Sequence, residues 1–328
     1  MTKTVLLLSQ EGDGHLPPVR EALVKRGCHV LVCDLADFPE HLSLTAQICA
    51  SPWRGTLSYH GQGIAFEDMV SVWWRRPHPY RAPAHYTPAV KTFLEQEAYR
   101  GFLGLLQSQP GPVWVSRPDR IRAAEFKPAQ LAAAQQLGLR VPKTLLTNQP
   151  GAAREFYHVC QGQVVCKPIW RGMLDVPVGH PRFIYTNEVK PEHLVWLDGI
   201  STTAHLLQER IEKVVEVRVI VIGRQIFAAE IHSQESERTR VDFRRSFADL
   251  TYAVHQLPKA VEQQLLCLTR FFALQYSSID LILSPEGAYV YLDQNPNGQC
   301  MWLAEATGLP LAEAMANLLS DPEEYQLC

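Results

Sequence analysis

Near the C-terminal end of the sequence, Asp280, Asp293 and Asn295 offer three oxygen-bearing side chains at the ends of two short apolar runs. The runs, Ile279–Leu283 and Ala288–Leu292, are rich in β-branched and aromatic residues and flank Ser284-Pro285-Glu286-Gly287, so they are expected to form a hairpin. Antiparallel pairing would bring Asp280, near the hairpin's start, towards Asp293 and Asn295 just past its end. Hard oxygen donors of this kind suit Mg²⁺, which usually completes its coordination with water and substrate phosphates. Asn295-Pro296-Asn297-Gly298 adds a rigid turn. A surface hairpin carrying ordinary turn acids is the alternative reading.

Cations fit the same chemistry. Lys167 lies in the apolar run Val164-Val165-Cys166-Lys167, where an ammonium is costly without an anionic partner. Glu216 and Arg218 alternate with Val215, Val217 and Val219, so both charges share one face of a strand. That face is either solvated or part of a cleft facing Lys167 and the acidic hairpin. Arg75 and Arg76 end the run Val72-Trp73-Trp74, and Pro77 holds Arg76 extended. Two guanidiniums there could bind a carboxylate or phosphate of a substrate, or pair locally while Trp73 packs in the core. Residues 234–245 are dense in charge and read as a mobile loop beside an anionic site or as a solvated loop.

The elements that must position these groups begin with Thr4–Leu8, a buried parallel strand, a helix over Pro18–Arg26 and a strand over Cys28–Cys33. This βαβ opening marks an α/β layer. Gly12-Asp13-Gly14 lacks the third glycine of a dinucleotide fingerprint. Gly14-His15-Leu16-Pro17-Pro18 is similar to the GH-x-x-P of sugar-nucleotide glycosyltransferases, or is a plain strand-to-helix turn. A long amphipathic helix is expected over Pro88–Gln107, with Phe93, Ala98, Phe102 and Leu105-Leu106 on its apolar face, then a strand at Val113–Val115. A helical stretch to Leu137 should break at Lys127-Pro128. Strands follow at Thr144–Thr147, 163–170, Leu206–Ile211, Glu216–Ile222 and Ile226–Ile231, and helices at Gln256–Ala273 and Trp302–Leu319.

The 328 residues are enough for two or three subdomains. A net charge of −3 (31 basic, 34 acidic residues) argues against bulk nucleic-acid or membrane binding. The start, Met1-Thr2-Lys3 running into Val5–Leu8, is too short for a signal or membrane segment. Eight scattered cysteines without a C-x-x-C pair read as reduced thiols of a cytoplasmic protein.

Taken in order, Lys127, Lys167, Leu207-Gln208-Glu209-Arg210-Ile211, Glu216-Val217-Arg218, Asp280 and Asp293-Gln294-Asn295 resemble the ATP-grasp ligases. Val72–Pro77, Val141–Asn148, Asn295–Gly298 and Glu305–Gly308 narrow the likeness to maturases of ribosomally made peptides, the microviridin-type macrocyclases. The resemblance spans nearly the whole chain and rests on no single motif. It implies an α/β (α+β) ATP-grasp fold, in which an N-terminal βαβ layer precedes two α+β subdomains that clasp the nucleotide. The expected parts are residues 1–118, 119–205 and 206–328, the last carrying the metal site. It further implies ATP and Mg²⁺ as cofactors, with Lys127 and Lys167 on the α/β-phosphates. Gln208, Glu209 and Ile211 would line the adenine pocket, with Glu216 also in the ATP site. Arg218 would contact the γ-phosphate and the acyl phosphate, assisted by Arg244. The partner would be a precursor peptide with a leader segment, and the enzyme a homodimer.

Two departures from the family pattern stand out. Asp293 occupies a position where the wider superfamily commonly has Glu. The stretch after Lys167-Pro168, usually rich in Gly and Ser, reads Ile169-Trp170-Arg171-Gly172-Met173-Leu174-Asp175-Val176-Pro177.

The function expected is side-chain ester (Thr/Ser) or amide (Lys) formation on Asp or Glu residues of the precursor. A small-molecule or protein-tail amino-acid ligase on the same fold is the alternative. A sugar-nucleotide glycosyltransferase would require a second βαβ half, and a catalytically dead peptide-binding module would not require these lysines, arginines and acids.

Overall fold

The computed structural model describes residues 3–49, 52–170, 172–174 and 182–327. Part of the unusual stretch after Lys167-Pro168 (Arg171 and residues 175–177) and Cys328 lie outside the described residues. Strand β1 (Thr4–Ser9) is buried along its whole length, as its unbroken apolar run requires of a parallel strand covered on both faces. Helix α1 (Leu16–Lys25) starts two residues before the expected Pro18, because Pro17 and Pro18 fit the first turn, where the amide hydrogens are not needed. After β2 (His29–Cys33), strands β3 (Leu42–Gln47), β4 (Arg54–Tyr59) and β5 (Gln62–Ala65) form a small antiparallel sheet. Strand β6 (Met69–Arg76), α2 (Pro88–Gln107) and β7 (Val113–Val115) complete the N-terminal layer, a parallel sheet in the order β2-β1-β6-β7. Phe102, Leu103 and Leu106 anchor α2, whereas Phe93, expected on its apolar face, is 62% exposed. The apolar stripe extends only over the helix's C-terminal half.

The expected break at Lys127-Pro128 separates α3 (Pro118–Ala124) from α4 (Lys127–Gln136). The central part contains β8 (Thr144–Thr147), α5 (Pro150–Val159), β9 (Val164–Lys167), the two-residue strands β10 (Met173–Leu174), β11 (Arg182–Phe183) and β12 (Asn187–Glu188), and β13 (His205–Glu209). Its antiparallel sheet runs β12-β9-β13-β8, and α5 covers a small core of its own around Ala153, Val164, Ile200 and Leu207.

The C-terminal sheet comprises β14 (Val215–Ile222), β15 (Gln225–Ile231), β16 (Tyr252–His255), β17 (Tyr276–Leu283) and β18 (Tyr289–Asn295) in the order β16-β15-β14-β17-β18. Helix α6 (Lys259–Phe271) begins after Pro258, three residues later than expected. The single helix expected over Trp302–Leu319 is instead α7 (Met301–Thr307) and α8 (Leu311–Ser320), because Gly308 caps the first at φ +74° and Pro310 cannot continue it. A four-residue α9 (Pro322–Tyr325) follows.

Two cores join these layers. One side of the N-terminal sheet (Val5, Leu7, Trp73, Val115) packs with Ile220, Ile222 and Tyr276 of the C-terminal sheet through α8. On the other face of the C-terminal sheet, Val217, Val219, Leu281 and Tyr291 pack against α3, α4 and α6. Residues 119–136, expected with the central part, therefore pack on the C-terminal sheet. Among the described residues, no helix is long and apolar enough to cross a membrane.

Candidate active site

The expected hairpin is present, with Gly287 N–H donating to the Ser284 carbonyl to close its turn at 2.9 Å. Its second strand runs further than expected, so Asp293 and Asn295 lie inside β18 and not beyond it. Asp280 faces Asp293 directly across the ladder, and Ser278 faces Asn295. Just beyond the Asp280–Asp293 pair the register shifts: Leu281 pairs with Tyr291, leaving Leu292 as the extra residue of a bulge. This bulge decides where the carboxylate goes. Tyr291 lies in the core, and strict alternation would send Asp293 after it; the extra residue turns Leu292 and Asp293 into the cleft together.

Helix α4 lies across this strand and is pinned there by Gln130. Its side-chain amide donates to the carbonyls of Ala124 (2.5 Å) and Gln294 (2.7 Å), while its oxygen accepts from Gln294 N–H (3.1 Å) and the Tyr291 hydroxyl (3.2 Å). One turn earlier, Lys127 Nζ reaches Asp293 Oδ2 at 2.6 Å. Arg218 on β14 pairs across the ladder with Asp280, its Nε 2.7 Å from Oδ1, and donates from Nη1 to Ser278 Oγ at 2.7 Å. Its guanidinium lies over the rings of Phe243 (5.6 Å) and Trp302 (5.9 Å). Burial pushes the Asp280 carboxyl above its ordinary value; Arg218 opposes the shift and Asp293 adds to it.

The central sheet forms the opposite wall. Val165, Lys167 and Gln208 share its cleft face, the first two on β9 and the third paired beside Val165 on β13. Lys167 is half-buried, and desolvation lowers its ammonium to about 8, with Asp293 and Asp280 pulling it up and Lys127 and Arg244 pushing it down. Glu209, Arg210, Ile211, Glu212 and Lys213 connect the two walls and line the back of the cleft. Gln208 donates to Thr144 Oγ1 at 3.0 Å, while its buried Oε1 has no hydrogen-bond partner among the described residues. Glu209 pairs with Lys143 at 3.3 Å. Glu216 is buried and bound by the equally buried Lys213 at 2.6 Å.

The charged run closes the remaining side through two short turns, Ser233–Glu235 and Phe243–Arg245, the second anchored by Phe243 in a small core with Ile231 and Leu250. Arg244 faces the cleft, held by two parallel bonds to Asp242, Nε to Oδ1 at 2.8 Å and Nη2 to Oδ2 at 2.5 Å. Although burial opposes its charge, Asp242 is held below its ordinary range by these bonds. Asp242, Lys213 and Gln130 were missed in the sequence. Asp242 lies two residues before an arginine assigned to the site, and that spacing was the available signal. Gln130 and Lys213 gave none.

Lys127, Lys167, Gln208, Glu209, Ile211, Glu216, Arg244, Asp280 and Asp293 thus line one cleft. Arg218 and Asn295 border it through Asp280 and Ser278. Arg75 does not join them as a substrate contact: it shares Trp73's buried face, is 1% exposed and binds within the protein. Arg76, half-buried, donates to the Asn297 carbonyl at 3.3 Å. Among the described residues, no group of three His, Cys, Asp or Glu side chains forms a metal site. The oxygen set here is two carboxylates and an amide, with Lys127 and Arg218 lying against the carboxylates where a divalent cation would sit. These hard donors, already matched to positive charge, fit Mg²⁺.

Residues 4–122 match the family model described as the MvdD pre-ATP grasp domain. No curated protein matches the sequence. Among solved structures, the chain is similar to macrocyclase MdnB from Microcystis aeruginosa MRC, with 31% identity over 97% of this chain and 99% of that one and a TM-score of 0.77. Macrocyclase MdnC of the same organism, bound with precursor peptide MdnA, is 26% identical over 98% and 100%, with a TM-score of 0.83. A RiPP-associated ATP-grasp ligase of Chryseobacterium gregarium, in complex with ADP and a leader and core peptide, is also 26% identical, over 98% and 97%, with a TM-score of 0.89.

Proposed function

The chain belongs to the ATP-grasp peptide macrocyclases, and from that premise we propose that it is an ADP-forming ligase closing side-chain rings in a ribosomally made precursor peptide. The observation that carries this reading is the convergence of four cations, Lys127, Lys167, Arg218 and Arg244, with the carboxylates Asp280 and Asp293 at one cleft between two sheets. Such a site neutralises a polyphosphate and presents it to a nucleophile.

Adenine fits the inner part of the cleft against Val165 and Ile211, where the unpartnered Gln208 Oε1 can accept from its amino group. Lys127 and Lys167 would bind the phosphates. Asp280, Asp293 and Asn295 would hold Mg²⁺, which when bound supplies neutralising charge for the phosphate oxygens. A substrate Asp or Glu carboxylate oxygen attacks the γ-phosphorus, the bond to the bridging oxygen breaks, and ADP leaves. Arg218 and Arg244 stabilise the charge on the transferring group, the latter oriented by Asp242. A Thr or Ser hydroxyl, or a Lys amine, then attacks the acyl carbon; the acyl C–O bond to phosphate breaks, and phosphate departs as the nucleophile loses its proton. Each linkage removes one water overall. The protein's part in this second step is to hold the two side chains together.

The test is incubation of the protein with ATP, Mg²⁺ and any short peptide rich in Thr and Asp or Glu found to be encoded beside it, followed by mass spectrometry. Loss of one water per linkage with equivalent ADP and phosphate is the expected result, and mild base then separates esters from amides. Nucleotide turnover with an unaltered peptide would overturn the peptide assignment, and absence of nucleotide binding would overturn the ligase assignment.

A further inference from the structure

Arg75 sits at the centre of a buried cluster tying the N-terminal layer to the segment that follows Asn295. Its Nη1 donates to the carbonyl oxygen (2.7 Å) and side-chain oxygen (2.8 Å) of Asn297 and to the Gly298 carbonyl (3.2 Å). The Asn297 side-chain amide donates back to the Arg75 carbonyl. Behind the guanidinium, Asp13 Oδ2 lies 3.2 Å from Nε, and the His15 ring lies 3.2–3.4 Å from Nη2. His15 Nε2 accepts from Cys300 N–H at 2.9 Å, which places the ring proton on Nδ1, directed at Asp13 Oδ1 2.8 Å away. Both ends of residues 297–300 are therefore pinned by groups from the β1–α1 turn and the end of β6.

The consequence reaches Asn295. Its side-chain oxygen accepts from Asn297 N–H at 3.0 Å. An amide oxygen has two lone pairs, so this bond fixes the side chain and leaves one pair for another partner. We propose that Arg75, held by Asp13 and His15, is a positioning residue for the divalent metal and acts through Asn297 on the amide oxygen of Asn295. This rests on Asp280, Asp293 and Asn295 being the metal donors. Groups that orient metal ligands without touching the metal set its affinity, and their loss typically weakens it about 10- to 100-fold. Arginine suits the position because its planar fork reaches two carbonyls and a carboxylate at once, as lysine cannot.

The experiment is Mn²⁺ titration of the ADP-loaded full chain by electron paramagnetic resonance, comparing wild type with Asn295→Ala, Arg75→Lys and Asn297→Ala. Thermal melts would establish that each variant is folded, and Asn297→Ala decides should Arg75→Lys fail to fold. The proposal expects all three variants to bind Mn²⁺ more weakly, Arg75→Lys and Asn297→Ala by about 10- to 100-fold. Metal-free ADP affinity should be unchanged, and for Arg75→Lys and Asn297→Ala the Mg²⁺ dependence of turnover should move to higher concentration with its rate recovered at saturation. If Asn295→Ala weakens Mn²⁺ binding while Arg75→Lys and Asn297→Ala do not, the cluster is only a structural clamp and the proposal fails. If Asn295→Ala leaves Mn²⁺ affinity unchanged, the metal assignment itself falls and takes this proposal with it.

Discussion

Lys167 shows how burial and bound charge oppose one another at a single residue. In the free protein, desolvation lowers its ammonium to about 8. A polyphosphate beside it favours the charged form, so its pKa rises on nucleotide binding. A group whose pKa rises on binding contributes affinity that is complete below the free value and is lost as pH climbs through it. Nucleotide affinity is therefore expected to be level below about pH 8 and to fall above it. Calorimetry just above that pH, in buffers of different ionisation enthalpy, should show proton uptake in the wild type and none in Lys167→Met. The same variant should weaken ADP binding about 10- to 100-fold, the worth of one charge-assisted bond; unchanged affinity would remove Lys167 from the phosphate site. Asp293 is tested differently, because its carboxylate is also the 2.6 Å partner of Lys127. Asp293→Ala should lower turnover at least about 100-fold, and product formed at the wild-type rate would remove it from the metal set.

At the level of elements, the site depends on how β17, β18 and the turn after them approach one another. A Cβ at Gly298 would lie 2.7 Å from Ser278 Cβ and 3.2 Å from Asn295 Cγ. Ser278 is the residue that receives Arg218, so Gly298→Ala pushes on a donor and on a cation together. Overpacking of this kind costs about 1–3 kcal/mol. The expected result is a melting point lowered by a few degrees with a disproportionate loss of turnover; full activity would show that the close approach is not needed. The strands themselves could be read from their apolar runs, and so could the hairpin turn and the break at Lys127-Pro128. The bulge at Leu292 could not, because nothing in Tyr289–Asn295 says where alternation is interrupted. Alternation puts Arg75 on Trp73's face and Arg76 on the other; that this face stays buried as far as Arg75 is shown only by the packing of the fold. The split between α7 and α8 was available in Gly308 and Pro310, but the apolar residues on either side masked it.

For the whole molecule, the distribution of cores predicts which parts move together. The N-terminal and C-terminal sheets share a core through Leu7, Trp73, Ile220, Tyr276 and Leu318, and Ser71 Oγ donates to the Leu319 carbonyl at 2.6 Å across the same junction. They should open only as one body. The central sheet has a separate, smaller core around Ala153, Val164 and Leu207 and faces the rest across the cleft proposed to hold the nucleotide. Units with little shared apolar contact open locally at lower free energy than the global transition. In hydrogen exchange, amides of β8, β9 and β13 should therefore exchange as a group and faster than those of β1, β6, β14 and β17, which should share one slow rate. A ligand bound between the two bodies contacts both walls and stabilises the closed arrangement by mass action. ADP with Mg²⁺ should then slow the central strands far more than the slow body. Equal protection of all strands before ligand is added would mean that the central sheet is not an independent unit. Protection of the slow body alone would place the nucleotide somewhere other than the cleft that Lys127, Lys167 and Asp293 define.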